Sequence, residues 1–110
     1  MAKHSTKSAA DTAPEAATKS STDKKVVMDL LYHMLLIRRF EEKAAEMYSQ
    51  GKIGGFLHLA VGMEASCAGA ISTLRPDDYV IGGYREHGQY LAKGGDPRRA
   101  MAELFGRIDG

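Results

Sequence analysis

All twelve glycines of this 110-residue chain lie after position 50, and residues 1–25 carry no large apolar side chain beyond Met1. That asymmetry divides the chain into an N-terminal stretch without core-forming residues, a long glycine-free middle, and a second half of short elements joined by tight turns. Residues 1–25 hold six Ala, four Ser, four Thr and five Lys. Such a segment buries too little surface to offset its ordering entropy and is expected to be a disordered tail. Its Ser-rich, cationic character also fits a transit peptide. The absence of Arg, the acidic Asp11, Glu15 and Asp23, and the lack of an apolar face favour a solubilising tail.

The remaining residues, 26–110, allow one small domain. Fifteen basic residues against fourteen acidic ones give a net charge of +1. The two signs are interspersed, so no basic face marks a nucleic-acid binder. A single cysteine, Cys67, excludes an internal disulfide framework and any CxxC site. No apolar run approaches the roughly 18–20 residues that span a bilayer, and no secretory signal opens the chain. The composition is that of a soluble intracellular protein.

A helix is predicted from about Asp23 to Gln50. Val27, Leu30, Leu31, Met34 and Ile37, with Leu36, Phe40, Ala44 and Met47, form a broad stripe at steps of three and four. Ser21, Thr22 and Asp23 are candidate N-caps, and Gly51 suits the left-handed position past the end. Arg38 and Glu42 form an i,i+4 pair. The stripe is wider than so small a chain can cover, so part of it is expected to pack against residues the chain does not contain.

A glycine-rich connection follows, Gly51 to His58. A second helix, Gly62 to Leu74, is rich in small residues around Cys67, which reads as a buried hydrophobe; Glu64 sits in its first turn, where the helix dipole favours it. Pro76 ends it. Asp78–Gly82 reads as one short β-branched strand, a short helix spans Gln89 to Lys93, and Asp96-Pro97 opens a last helix to about Gly106. A single strand makes no sheet, so the piece is mostly α-helical and reads as the beginning of an α/β domain.

Chemistry concentrates after that strand, in Tyr84-Arg85-Glu86-His87-Gly88, because open α/β sheets bind ligands beyond the carboxyl ends of their strands. Arg85 offers a planar donor fork for a phosphate or carboxylate; equally, it suits a surface pair with Glu86. Tyr84 offers a ring face and a hydroxyl, or packs as a strand-end aromatic. His87 suits a proton shuttle or an anion donor. His58, after two glycines in Phe56-Leu57-His58-Leu59-Ala60, fits either a donor to a substrate carboxylate or a core histidine bonded to a carbonyl. His4 and His33 have no partner at metal-ligand spacing, and this chain alone is not expected to bind metal. No P-loop, GxGxxG, GxSxG or HExxH pattern occurs.

From about residue 28 to 110, several blocks together resemble the α subunit of 2-oxoacid dehydrogenase E1 enzymes, with the pyruvate type the nearest match. Met34-Leu35-Leu36-Ile37-Arg38-Arg39-Phe40-Glu41-Glu42-Lys43 is similar to that family's first helix, and Ile53-Gly54-Gly55-Phe56-Leu57-His58-Leu59 to its glycine loop. Gly62-Met63-Glu64-Ala65 resembles its G-Q-E-A helix start. Tyr84-Arg85-Glu86-His87-Gly88 and Met101-Ala102-Glu103-Leu104-Phe105-Gly106 match two further blocks.

The resemblance implies a thiamine-diphosphate-binding α/β domain with a parallel sheet, of which residues 26–110 are the incomplete N-terminal part. It implies an α₂β₂ heterotetramer with an E1 β subunit that decarboxylates pyruvate and passes the acetyl group to the lipoyl arm of E2. Carried over by position, Tyr84 and Arg85 help hold thiamine diphosphate. His58 lies near its reactive carbon and helps bind the substrate. His87, in the Y-R-x-H-G form, leans toward pyruvate over branched-chain or acetoin-type substrates. A non-catalytic interaction fragment docking through residues 26–50 is the reading from another class.

Two departures stand out. Met63 replaces the family's usual Gln, removing an amide at the helix start. The G-D-G and paired-Asn motif that holds Mg²⁺ and the diphosphate lies downstream of the position matching Gly110. The 110 residues alone are therefore expected to be inactive. The weak transit character of the N-terminus favours a bacterial cytoplasm over a mitochondrial matrix.

Overall fold

The computed structural model describes residues 23–110. The tail expected over 1–25 lies outside the described residues, except for Asp23, Lys24 and Lys25. Four helices follow in order: α1 (Lys24–Ser49), α2 (Glu64–Ser72), α3 (His87–Ala92) and α4 (Pro97–Leu104).

The ends of α1 and α4 follow local capping chemistry. Asp23 accepts a hydrogen bond from the Lys25 backbone N–H, and Gly51 takes up φ +70° just beyond the C-terminus of α1. Asp96 accepts from the Arg98 N–H, with Pro97 as the first helical residue of α4. At α2 no side chain caps the start, where Met63 occupies the N-cap position.

The C-terminal half of α1 packs against α2 and α3, α2 packs on α3, and α4 closes the end. Ile37 and Phe40 of α1, Cys67 of α2, Leu91 of α3 and Ala100 of α4 form the core, flanked by Leu36, Met101 and Leu104. Fully burying Ile37 and Leu91 stabilises the fold by about 1.5–3 kcal/mol each. A small residue is required where α2 meets α3. A Cβ on Gly88 would stand 2.7 Å from Cys67 Sγ and 3.5 Å from Ile37 Cγ2. Cys67 is thus a buried packing residue, and burial pushes its thiol up, with the nearby Glu41 and Glu64 charges adding to the shift. Of the predicted stripe, Val27 and Leu31 at the N-terminal end of α1 are exposed, and Tyr32 and Leu35 beside them are exposed too, so that end of the helix has no full cover among the described residues.

The predicted strand at Asp78–Gly82 does not form; no strand occurs among the described residues. Tyr79 and Ile81 are 96% and 95% exposed. A strand exists only by pairing its backbone with a neighbour, and nothing described here offers one. The mostly helical character expected of the piece holds.

Candidate functional site

Two irregular segments meet beside α1. One is the glycine-rich connection between α1 and α2, which carries His58. The other is the turn before α3, which carries Tyr84 and Arg85. The His58 and Tyr84 rings meet edge to face, with centroids 5.0 Å apart and an interplanar angle of 60°. The Arg85 guanidinium carbon lies 5.1 Å from the Tyr84 ring centroid, within cation–π range. Three of the four residues singled out in the sequence, His58, Tyr84 and Arg85, are therefore brought together.

Arg85 has φ +65°, the one non-glycine residue in the left-handed region among those described. An L-residue held there stores about 1–2 kcal/mol of strain, which the surrounding packing must maintain. Its Nε is buried and makes no hydrogen bond, and no carboxylate pairs with the guanidinium among the described residues. The pairing with Glu86 is not made. A desolvated guanidinium donor without a partner is suited to an oxyanion. Tyr84 is 63% exposed and His58 is exposed as well, so His58 is not a core histidine.

His87 turns the other way. Its Nδ1 lies 2.9 Å from Glu41 Oε1, and its ring packs 5.6 Å from that of Phe40, so it is not placed as a free shuttle beside Tyr84. The Glu41 hydrogen bond holds the imidazole above its ordinary value, with burial opposing; the charges of Glu41, Glu86 and Glu103 add smaller upward pulls. Glu41 itself is 0% exposed, and its Oε2 accepts the Ala60 N–H at 3.1 Å. This acid was missed in the sequence reading. It falls four residues after Ile37 and three before Ala44, so it lies on the same helical stripe that those residues bury.

A second carboxylate works beside it. Glu64 Oε1 accepts from Arg38 Nε at 2.7 Å and from the Gly62 N–H at 2.9 Å. The Arg38 contact, more than the Gly62 bond, holds the Glu64 carboxyl down to about 2 against the opposing effect of burial. The i,i+4 pairing of Arg38 with Glu42 gives way to this contact, because Glu64 is a buried charge that needs a cation. Arg39 takes Glu42 at 3.4 Å.

A groove of about 600 Å³, floored by Leu36, Phe40, Met101 and Phe105, lies between α1 and α4, away from the His58–Tyr84–Arg85 cluster. Closer to it is a cleft of about 520 Å³ bounded by Gly54, Leu57, Glu86 and His87. No group of three or more His, Cys, Asp or Glu among the described residues could hold a metal ion. No helix there is long and apolar enough to cross a membrane.

The family described as dehydrogenase E1 component matches residues 32–110. The chain belongs to that family. It is 48% identical over 89 residues to the pyruvate dehydrogenase E1 component subunit alpha of Zymomonas mobilis, covering 80% of this chain and 25% of that protein. The Rhizobium meliloti protein of the same name is 56% identical over 77 residues, 70% of this chain and 22% of the relative. The chloroplastic subunit alpha-3 of Oryza sativa is 43% identical over 98 residues, 89% of this chain and 23% of its own length. The chain thus spans about a quarter of the length of these relatives. No solved structure matches it.

Proposed function

We propose that this chain is the N-terminal part of a pyruvate dehydrogenase E1 α subunit, and that His58, Tyr84 and Arg85 are its contribution to the active site. The observation that carries the reading is the cluster itself: a strained arginine with an orphaned buried Nε, folded over a tyrosine that meets a histidine from a separate loop. Two bacterial relatives carry this name, which supports pyruvate as the substrate.

Arg85 and Tyr84 fit the diphosphate of thiamine diphosphate: the guanidinium supplies charge-assisted donors, and the tyrosine ring and hydroxyl flank them. When bound, that cofactor supplies the electron sink for cleaving the bond between the carboxylate and carbonyl carbons of a 2-oxoacid. His58 binds and orients the pyruvate carboxylate and carbonyl through its ring N–H. The packed rings of His58 and Tyr84 hold cofactor-side and substrate-side groups at a fixed spacing, the kind of orientation that lowers an activation barrier.

The remaining parts of the reaction come from elsewhere in the assembly. Residues 26–110 form the opening portion of an α/β thiamine-diphosphate-binding domain, where segment 78–82 finds the sheet it lacks here. Mg²⁺ ligands come from chain downstream of this segment, an E1 β subunit completes an α₂β₂ enzyme, and the acetyl group passes to the lipoyl arm of E2. Residues 1–25 act as a solubilising tail, and the setting is a bacterial cytoplasm, in keeping with the Zymomonas and Rhizobium relatives.

The test is made on the complete α subunit assembled with its β partner. Calorimetric titration with thiamine diphosphate and Mg²⁺ should show Arg85→Ala weakening binding by about 10- to 100-fold, the range of a lost charge-assisted contact. His58→Ala should raise the KM for pyruvate. Unchanged cofactor affinity in Arg85→Ala would overturn the assignment.

A further inference from the structure

We propose that Glu41 is a positioning residue for the candidate site: its buried carboxylate fastens to α1 both of the segments that carry His58 and the Tyr84–Arg85 pair, and so sets their spacing. The proposal rests on the site reading given above and adds to it a residue that touches neither cofactor nor substrate.

The connectivity carries the argument. Glu41 Oε2 accepts the N–H of Ala60, two residues after His58, and Glu41 Oε1 lies 2.9 Å from Nδ1 of His87, two residues after Arg85. His58 and Tyr84 then meet at 5.0 Å. A closed ring results, from Glu41 through Ala60 to His58, across to Tyr84, and back through His87. One polar contact ties down the loop that carries His58; the other holds the first residue of α3, from which the Tyr84–Arg85 turn extends. Glu64 reinforces one side by accepting the Gly62 N–H while paired to Arg38 of α1.

Core packing does not explain an acid at this position. Glu41 is 0% exposed, and neighbours Ile37, Phe40 and Ala44 make the same face apolar. An apolar side chain of similar volume would fill the space without desolvating a charge. What the carboxylate adds is direction: two acceptor atoms aimed at two separate chain segments. Such supporting contacts to a site typically matter by 10- to 100-fold when lost.

The charged surroundings make a pH signature available. His87 is faced by Glu41 from α1, by Glu86 at its own helix start and by Glu103 from α4. On the α2 side, the Cys67 thiol feels the charges of both Glu41 and Glu64, and Glu64 is paired to Arg38. In a Glu41→Gln variant, the amide oxygen can still accept from Ala60 and the amide N–H can donate to Nδ1 of a neutral His87. A protonated His87 has no lone pair to accept it, so the clamp fails on acidification. The wild-type carboxylate matches the imidazolium instead.

The experiment uses the complete α subunit with its β partner, titrated with thiamine diphosphate and Mg²⁺ and assayed with pyruvate. Glu41→Met is expected to raise the cofactor Kd and the pyruvate KM by about tenfold or more. Glu41→Gln should stay within about threefold of wild type near pH 8 and fall away by about fivefold more at a pH below its own His87 midpoint, read by NMR titration of that variant. A folded Glu41→Met with unchanged Kd and KM overturns the proposal. Should Glu41→Met not fold, a Glu41→Gln to wild-type affinity ratio that is flat between those pH values overturns it. Arg85→Ala runs alongside: if it weakens binding and Glu41→Met does not, only the positioning role falls, and if neither does, the site reading itself falls.

Discussion

His58 and Tyr84, carried on two loops separated by the whole of α2, pack edge to face at 5.0 Å. Neither loop contains regular hydrogen bonding that would hold such a contact. Buried Ile53 and Ala60 seat the first loop, and polar contacts add to them: Ala60 is bonded to Glu41, Gly62 to Glu64, and His87 to Glu41. The small core of Ile37, Phe40, Cys67, Leu91 and Ala100 builds the platform, and two buried carboxylates attach the loops to it.

Arg85 separates stability from ligand binding. Its φ of +65° is strained for any residue with a Cβ, whereas glycine enters that region freely. Arg85→Gly is expected to leave stability unchanged or raise it by up to about 1 kcal/mol, because the relieved strain is partly offset by glycine's extra freedom in the unfolded chain. Thiamine diphosphate affinity should fall by about tenfold or more in the same variant. Arg85→Lys should recover only part of that affinity, since an ammonium keeps the charge and loses the fork. Differential scanning calorimetry paired with cofactor titration reads both effects; a large loss of stability in Arg85→Gly would contradict the strain.

Gly88 is a packing requirement. Its added Cβ would stand 2.7 Å from Cys67 Sγ and 3.2 Å from Cys67 Cβ, so Gly88→Ala is expected to destabilise by about 1–3 kcal/mol. Removing the sulfur in Gly88→Ala/Cys67→Ala should restore part of the loss. Additive effects in a double-mutant cycle by urea denaturation would show that the two positions do not meet.

How far the sequence exposed this arrangement depended on whether the deciding contact was local. The caps at Asp23, Gly51 and Asp96-Pro97 act within one turn, and the structure has them where the residue types indicated. The buried Cys67 was equally legible from its small-residue helix. Arg38 was not, because Glu42 is its neighbour in sequence while Glu64 is the buried charge that claims it. Segment 78–82 has the β-branched centre of a strand, yet pairing is a property of two segments and only one is present. His58, Tyr84 and Arg85 could be singled out one by one, but their contact is long-range. Glu41 lay in an ordinary-looking Glu-Glu-Lys run, and only its phase on the helix, in step with Ile37 and Ala44, distinguished it.

Glu64 sets the acid limit of the loop clamp. Its carboxyl is held down to about 2 from an ordinary 4.5, so its contribution is fully present above 4.5 and is lost as pH falls through about 2. Because the Arg38 side chain is 44% exposed, solvent screens the pair, and Glu64→Gln is expected to lose about 1 kcal/mol at neutral pH. The difference between variant and wild type should shrink as pH is taken below 4.5. A difference that is constant across that range, measured by chemical denaturation, would mean the carboxylate charge does not matter.

His87 gives the opposite slope. Its folded value is raised above the ordinary 6.5, first through the Glu41 hydrogen bond, so the native state holds a proton that the unfolded chain releases more readily. The stabilisation is therefore complete below about 6.5 and is lost as pH rises through the folded value. Cys67, also raised, enters only above its ordinary 9.0. Melting temperature should fall as pH rises above 6.5 in wild type, and the fall should be smaller in His87→Gln. The variant keeps side-chain hydrogen-bonding capacity toward Glu41 but carries no titrating proton. NMR titration of the His87 ring should return a midpoint above 6.5 in wild type and a lower one in Glu41→Gln. An equal midpoint in both would remove Glu41 as the cause, and a midpoint below 6.5 in wild type would show that burial outweighs the pair.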